Sequence, residues 1–116
     1  MSEKDCIFCK IIRGEIPCNK AYESDRFLAF HDIHPQAPYH VLIIPKKHIP
    51  TILDITPDDR ELIGDLFMVA SQLAKDFNID QSGFRTVFNC NRDAGQAVYH
   101  IHLHLLGGRI MGWPPG

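Results

Sequence analysis

From residue 99 to residue 108 the chain reads YHIHLHLLGG. His100, His102 and His104 alternate there with Ile101, Leu103 and Leu105. A period of two belongs to a β-strand, whose successive side chains point to opposite faces. At a rise of ~3.3 Å per residue, the three imidazoles line one face about 6.6 Å apart. The opposite face is apolar and can be buried against a helix. A strand over 99–106 therefore needs a helix on one side and something polar on the other. A solvent-facing strand merely rich in histidine is the plainer explanation. Against it stand Gly107 and Gly108, which permit close backbone approach, and NRDAGQ at 91–96 just upstream.

The remaining pattern supplies the helix. Thr56 is a natural N-cap, Pro57 suits the first helical position, and Asp58 and Asp59 complement the positive end of the dipole. Leu62, Leu66, Val69 or Ala70, Leu73 and Phe77 then recur at helical spacing, which predicts a core-facing stripe. A short helix is expected over 5–13, ended by Gly14 with Pro17 beyond. Strands are expected at 21–24, 26–32, 39–46 and 84–89, with Pro35 and Pro38 marking the loop before the third. Short connections favour an antiparallel sheet, and the segregated helices favour an α+β fold. The edges of so small a sheet must be covered or paired, and dimerisation is one way to do so.

A length of 116 residues leaves room for one domain, 1–116. The formal charge of −2 and the absence of a basic stripe beyond PKKH at 45–48 argue against nucleic acid as a partner. The N-terminus has no apolar stretch fit for a signal peptide, and runs such as VLII at 41–44 are too short to span a bilayer. A cytoplasmic chain, with no membrane partner, is the expectation. In that reducing setting the 4 cysteines read as thiols or metal ligands rather than disulfides.

Histidines in register suit two chemistries. Two of them at i and i+2 can chelate a catalytic zinc, which then needs a third ligand and an open position. Alternatively, a neutral imidazole can attack phosphorus, provided that a hydrogen bond to one ring nitrogen leaves the other free. Spacing alone does not choose between them. Cys6 and Cys9 form a C-x-x-C pair, which reads either as two small buried residues or as half of a structural zinc site.

The string HIHLHLL resembles the motif that names the histidine-triad (HIT) family. FHDIHPQAPYHVLIIPKKHI at 30–49, GQAVYHIHLHLLGGR at 95–109 and WPPG at 113–116 resemble its Hint branch, so the likeness runs from Cys6 to Gly116. The resemblance implies a HIT-like α+β fold: an antiparallel five-stranded sheet with one long and one short helix, continued across a homodimer. It implies a hydrolase of purine nucleoside phosphoramidates or acyl and aminoacyl adenylates. His102 would attack the α-phosphorus and carry a covalent nucleotidyl group, its tautomer fixed by the carbonyl of His100. His104 and His40 would surround the phosphate. Asp32 would hold the ribose, with Ile33, Phe30 and Leu42 beside the base. Asn89 would lie near phosphate and ribose, and Gly95, Gln96 and Ala97 beside the leaving group.

Hint proteins often carry a hydroxyl where this chain has Ala97, which leaves the preferred leaving group open. Some hold a structural zinc at the positions of Cys6, Cys9, His48 and His100; no organic cofactor is implied. Two alternatives remain: a dinucleoside polyphosphate hydrolase, and a nucleotide-binding scaffold with incidental hydrolysis. By the same resemblance, Trp113 to Gly116 would reach toward the partner subunit's pocket.

Overall fold

Alternation sorts the two faces of the sheet. In the computed structural model, which describes residues 3–116, β1 (Lys20–Glu23), β2 (Phe27–His31), β3 (Tyr39–Pro45), β4 (Phe84–Val87) and β5 (Leu103–Gly107) form one antiparallel sheet. Its order is β1-β2-β3-β5-β4. Phe27, Ala29, Val41, Ile43, Leu103 and Leu105 leave one face and pack against Leu66, Val69, Ala70 and Leu73 of the long helix α2 (Arg60–Asp76). Leu28, Phe30, Leu42 and Ile44 leave the other face and meet Cys6, Phe8 and Cys9 at the short helix α1 (Ile7–Ile12). The register sets Leu42 opposite both Phe30 and His104, so His104 shares the α1 side. The α+β architecture expected from the sequence is the one found.

Several boundaries differ from expectation, each for a local reason. The strand expected over 99–106 is paired only from Leu103 to Gly107. Its partner β3 ends at Pro45, which has no N–H to continue the ladder. The Pro45 carbonyl instead meets His100 Nε2 at 2.7 Å, and the Ile101 N–H donates to the Ile49 carbonyl at 2.8 Å. His100 and His102 therefore lie just before the strand, and only His104 lies within it. Likewise α2 begins at Arg60, because Pro57–Asp59 form a separate 3-10 turn. Asp59 is buried and held by Lys47 Nζ at 2.5 Å, so it braces the turn rather than facing solvent at a helix end. The predicted helix over 5–13 shortens to α1, with Cys6 as its N-cap and Gly14 beyond at φ +79°. The strand expected at 84–89 stops at Val87, and a four-residue helix α3 (Asn91–Ala94) follows where no helix was expected.

The two glycines after the triad do permit close approach. A Cβ at Gly107 would stand 2.4 Å from Ile79 Cδ1. One at Gly108, whose φ is +92°, would stand 2.9 Å from Pro38 Cβ.

Candidate active site

The three histidines are held in three different ways. His102 is buried, and its Nδ1–H donates to the His100 carbonyl at 2.9 Å. A ring nitrogen that donates leaves the other with a bare lone pair. Among the described residues, only His48 Nε2 is a buried side-chain nitrogen or oxygen without a partner. His102 Nε2 likewise meets no partner among the described residues, so it is open to the cleft that His102 lines. Phe8 stands edge-on to this ring, 5.2 Å between centroids at 89°. Burial lowers the His102 pKa, opposed by the bond to the His100 carbonyl, so the ring is neutral at pH 7.

His104 lies 5.1 Å from His102, centroid to centroid, with its Nδ1 2.9 Å from His40 Nε2. Burial first, then His102 and His40, hold its pKa down to about 4. His40 accepts the Gln36 main-chain N–H at Nδ1 (3.0 Å), and burial lowers its pKa as well.

A cleft of about 530 Å³ opens above these rings, a size suited to a small-molecule ligand. Phe30, Asp32, Ile33 and Leu42 line it from β2, β3 and the loop between them. Asn89, Gly95 and Ala97 line it from the segment between β4 and β5. Asp32 also closes the turn after β2, accepting the His34 N–H at 2.8 Å through Oδ1, while Oδ2 lies 3.5 Å from His40 Nε2. Two expected residues stand behind the wall. His40 does not line the cleft and meets His104 and Asp32 from behind. Gln96 is buried and braces its loop, accepting the Asn91 N–H and donating to the carbonyls of Pro50 and Val98. Sequence reasoning missed the far wall, which Ile7, Phe8 and Ile11 of α1 supply together with Cys18. The i, i+4 spacing of Ile7 and Ile11 was the available signal. Cys90 does not line the cleft.

Cys6, Cys9, His48 and His100 converge at the other side of α1, their ligand atoms all within 4.8 Å of one another. His100 donates Nε2–H to the Pro45 carbonyl, which leaves its Nδ1 lone pair facing the cluster. That nitrogen is 3.4 Å from Cys6 Sγ, 3.6 Å from Cys9 Sγ and 3.3 Å from His48 Nδ1. Burial, with Cys6 next, pushes the Cys9 thiol up to about 12, and burial holds His100 down to about 4. These four residues could hold a metal ion. Asp32, His40 and His104 are also close enough to do so. However, His40 Nδ1 already accepts a main-chain N–H, so its inward nitrogen Nε2 carries hydrogen and has no lone pair to give. His102 belongs to neither group.

The chain is similar to known proteins along nearly all its length. The family described as "Scavenger mRNA decapping enzyme C-term binding" matches residues 5–112. An uncharacterized HIT-like protein of Synechocystis sp. is 51% identical over 113 residues, covering 97% of this chain and 98% of that protein. The purine nucleoside phosphoramidase of Escherichia coli K12 is 48% identical over 109 residues, covering 94% of this chain and 92% of that protein. The crystal structure of a HIT family hydrolase from Legionella pneumophila superposes with a TM-score of 0.95 at 56% identity, covering 97% of this chain and 100% of that one. With His102 and His104 of its His-x-His-x-His segment lining the cleft, this chain belongs to the histidine-triad family.

Proposed function

We propose that the chain hydrolyses purine nucleoside phosphoramidates or acyl and aminoacyl adenylates at the α-phosphorus, with His102 as nucleophile. The observation that carries this reading is the His102 ring itself: Nδ1–H bound to the His100 carbonyl, and Nε2 unpartnered at the cleft. Nε2 attacks phosphorus as the bond to the leaving nitrogen or oxygen breaks; the leaving group departs with its electron pair, and a leaving nitrogen takes up a proton from water. Water then attacks the nucleotidyl-histidine, the P–N bond to His102 breaks, and the proton lost by that water passes to solvent, so that the nucleoside monophosphate is released and neutral imidazole is regenerated.

The lining residues divide this work. Asp32 accepts the ribose hydroxyls, while Ile33, Phe30 and Leu42 flank the purine. Asn89 and His104 hold phosphate oxygens, and Gly95 and Ala97 border the leaving group. Gln96 shapes that loop from behind. The named activity of the Escherichia coli relative supports the phosphoramidate half of the reading.

We also assign a structural zinc to Cys6, Cys9, His48 and His100. A tetrahedral Cys₂His₂ site with ~2.3 Å Zn–S and ~2.05 Å Zn–N bonds has S···N edges of ~3.6 Å and an N···N edge of ~3.3 Å. The S···N distances of 3.3, 3.4 and 3.6 Å and the N···N distance of 3.3 Å fit that tetrahedron. The bond from His100 Nε2–H to a carbonyl is the usual outer support of a metal-bound imidazole. Such an ion would tie α1 to the segment before β5 and supply no step of the reaction. Thiols kept ready for a metal suit a reducing, cytoplasmic setting. A homodimer paired at the β4 edge is supported by Phe84 and Phe67, both exposed on that side.

Trapping the intermediate tests the nucleophile. Brief reaction with an adenosine phosphoramidate, followed by acid-free denaturation and mass spectrometry, is expected to show one nucleotidyl group, absent from His102→Ala. Robust turnover by that variant would end the reading. Comparing that substrate with a dinucleoside polyphosphate separates the other enzymatic alternative, and tight AMP binding without turnover would favour a scaffold.

A further inference from the structure

Imidazole hydrogens can move between nitrogens, but a main-chain N–H cannot, and one of these anchors the back of the site. The Gln36 N–H points at His40 Nδ1 at 3.0 Å, so that nitrogen must be an acceptor and His40 must carry its hydrogen on Nε2. That hydrogen faces His104 Nδ1 at 2.9 Å. His104 Nδ1 is then an acceptor too, and the His104 hydrogen lies on Nε2. Among the described residues this nitrogen meets no partner, it is not sealed from solvent, and His104 lines the cleft. Asp32 Oδ2, 3.5 Å from His40 Nε2, is an acceptor and agrees with a hydrogen there.

The loop that presents Gln36 is itself seated on the segment after β5. Arg109 Nε donates to the Gln36 carbonyl at 2.9 Å and Arg109 Nη1 to the Ile110 carbonyl at 3.1 Å. Gly108, lacking a Cβ, lets Pro38 close against the same segment. Neither Gln36 nor Arg109 lines the cleft.

We propose that Gln36 and Arg109 are positioning residues for His104: the Gln36 main-chain N–H, clamped by Arg109, acts through His40 to make His104 offer the cleft an N–H rather than a lone pair. The consequence is a fixed polarity. His102 presents a lone pair and its neighbour His104 a donor, so phosphorus can approach the first while a phosphoryl oxygen is held by the second. With the opposite tautomer at His104, two lone pairs would face an anionic group. The inference deepens the hydrolase reading and rests on it for its catalytic consequence, although the tautomers are properties of the unliganded protein.

Long-range ¹H–¹⁵N spectra of the histidine rings in the full chain read the tautomers directly. In the unaltered protein, His40 and His104 are expected as Nε2–H and His102 as Nδ1–H. Nδ1–H at His104 would overturn the proposal without any variant being made. His40→Leu is expected to leave His104 a mixture of tautomers and to lower kcat by about 100-fold with little change in KM. His40→Gln, which can again donate an N–H, is expected to restore a single His104 tautomer and part of kcat. An unchanged His104 spectrum in His40→Leu would refute the relay. Arg109→Ala is expected to give a smaller shift toward mixed tautomers, and no shift would remove Arg109 from it. Failure to trap an adduct on His102 would sink the hydrolase reading while leaving these tautomers as they are, so the two failures are distinguishable.

Discussion

Acid should loosen this protein through His104, and the size of the effect follows from its surroundings. Burial, with His102 and His40 nearby, holds the folded pKa of His104 down to about 4. In the unfolded chain a histidine titrates near ~6.5. Between those values the unfolded state binds the proton and the folded state does not. The contribution of His104 is therefore complete above about pH 6.5 and falls by ~1.4 kcal/mol per pH unit as pH drops toward about 4. Across the whole window the loss is at most about 3 kcal/mol, less where solvent at the cleft screens the ring, against the ~5–15 kcal/mol typical of a folded domain. Urea unfolding at one protein concentration, repeated from about pH 7 to about pH 4 for the unaltered protein and His104→Gln, isolates the effect. Carboxylates, and His100 in the Cys/His cluster, titrate in both proteins and cancel in the difference. The His104→Gln curve should be the flatter of the two, by up to about 3 kcal/mol over the window. Parallel curves would refute the argument that the folded site excludes the proton from this ring.

On the proposed assignment of zinc to Cys6, Cys9, His48 and His100, a chelator, or replacement of Cys9 by Ser, should lower Tm by at least about 4 °C while AMP remains bound, as calorimetry can show. Loss of turnover at unchanged Tm would instead revive a catalytic metal. Ala97 is exposed at the cleft, so Ala97→Ser adds a hydroxyl without burying it, a proton donor beside the leaving group in the proposed reaction. The kcat/KM ratio of phosphoramidate over acyl adenylate should rise by about 10-fold, and an unchanged ratio would clear the missing hydroxyl of any role. Gly107→Ala drives a methyl into Ile79 and should cost about 1–3 kcal/mol in urea unfolding, partly restored by Ile79→Val; full stability would show that Ile79 gives way freely.

How much of this was legible beforehand depended on whether the deciding interaction was local. The alternation of Ile101, Leu103 and Leu105 with histidine identified a buried face correctly, because side-chain direction is a local property of extended chain. The helical stripe from Leu62 to Phe77 worked for the same reason. The true start of β5 was not legible, because it is decided by Pro45, more than fifty residues upstream, which withholds an N–H from the ladder. His40 shows a second limit. Its residue type fits contact with a phosphate and contact with another imidazole equally well, and only the register of Leu42 opposite His104 sets it behind His104. Gln96 likewise sits in a glycine-flanked loop that reads as ligand-facing, yet its amide is consumed by three main-chain groups.

The three histidines of the motif are chemically distinct because each has one nitrogen committed before any ligand arrives. His100 commits Nε2–H to the Pro45 carbonyl, and its lone pair turns to the cysteines. His102 commits Nδ1–H to the His100 carbonyl, and its lone pair turns to the cleft. His104 commits a lone pair to His40, and its hydrogen turns to the cleft. Every setting traces back to a group that cannot switch: two carbonyls and, through His40, one main-chain N–H. Imidazoles only about 5 Å apart would otherwise exchange donor and acceptor roles freely, since the tautomers of a free ring differ little in energy. Burial then removes the remaining freedom by keeping the rings neutral. The motif therefore needs its backbone as much as its side chains. A substitution that preserved all three rings but rotated the peptide after His100 would take away the His102 acceptor and, with it, the lone pair that faces the cleft.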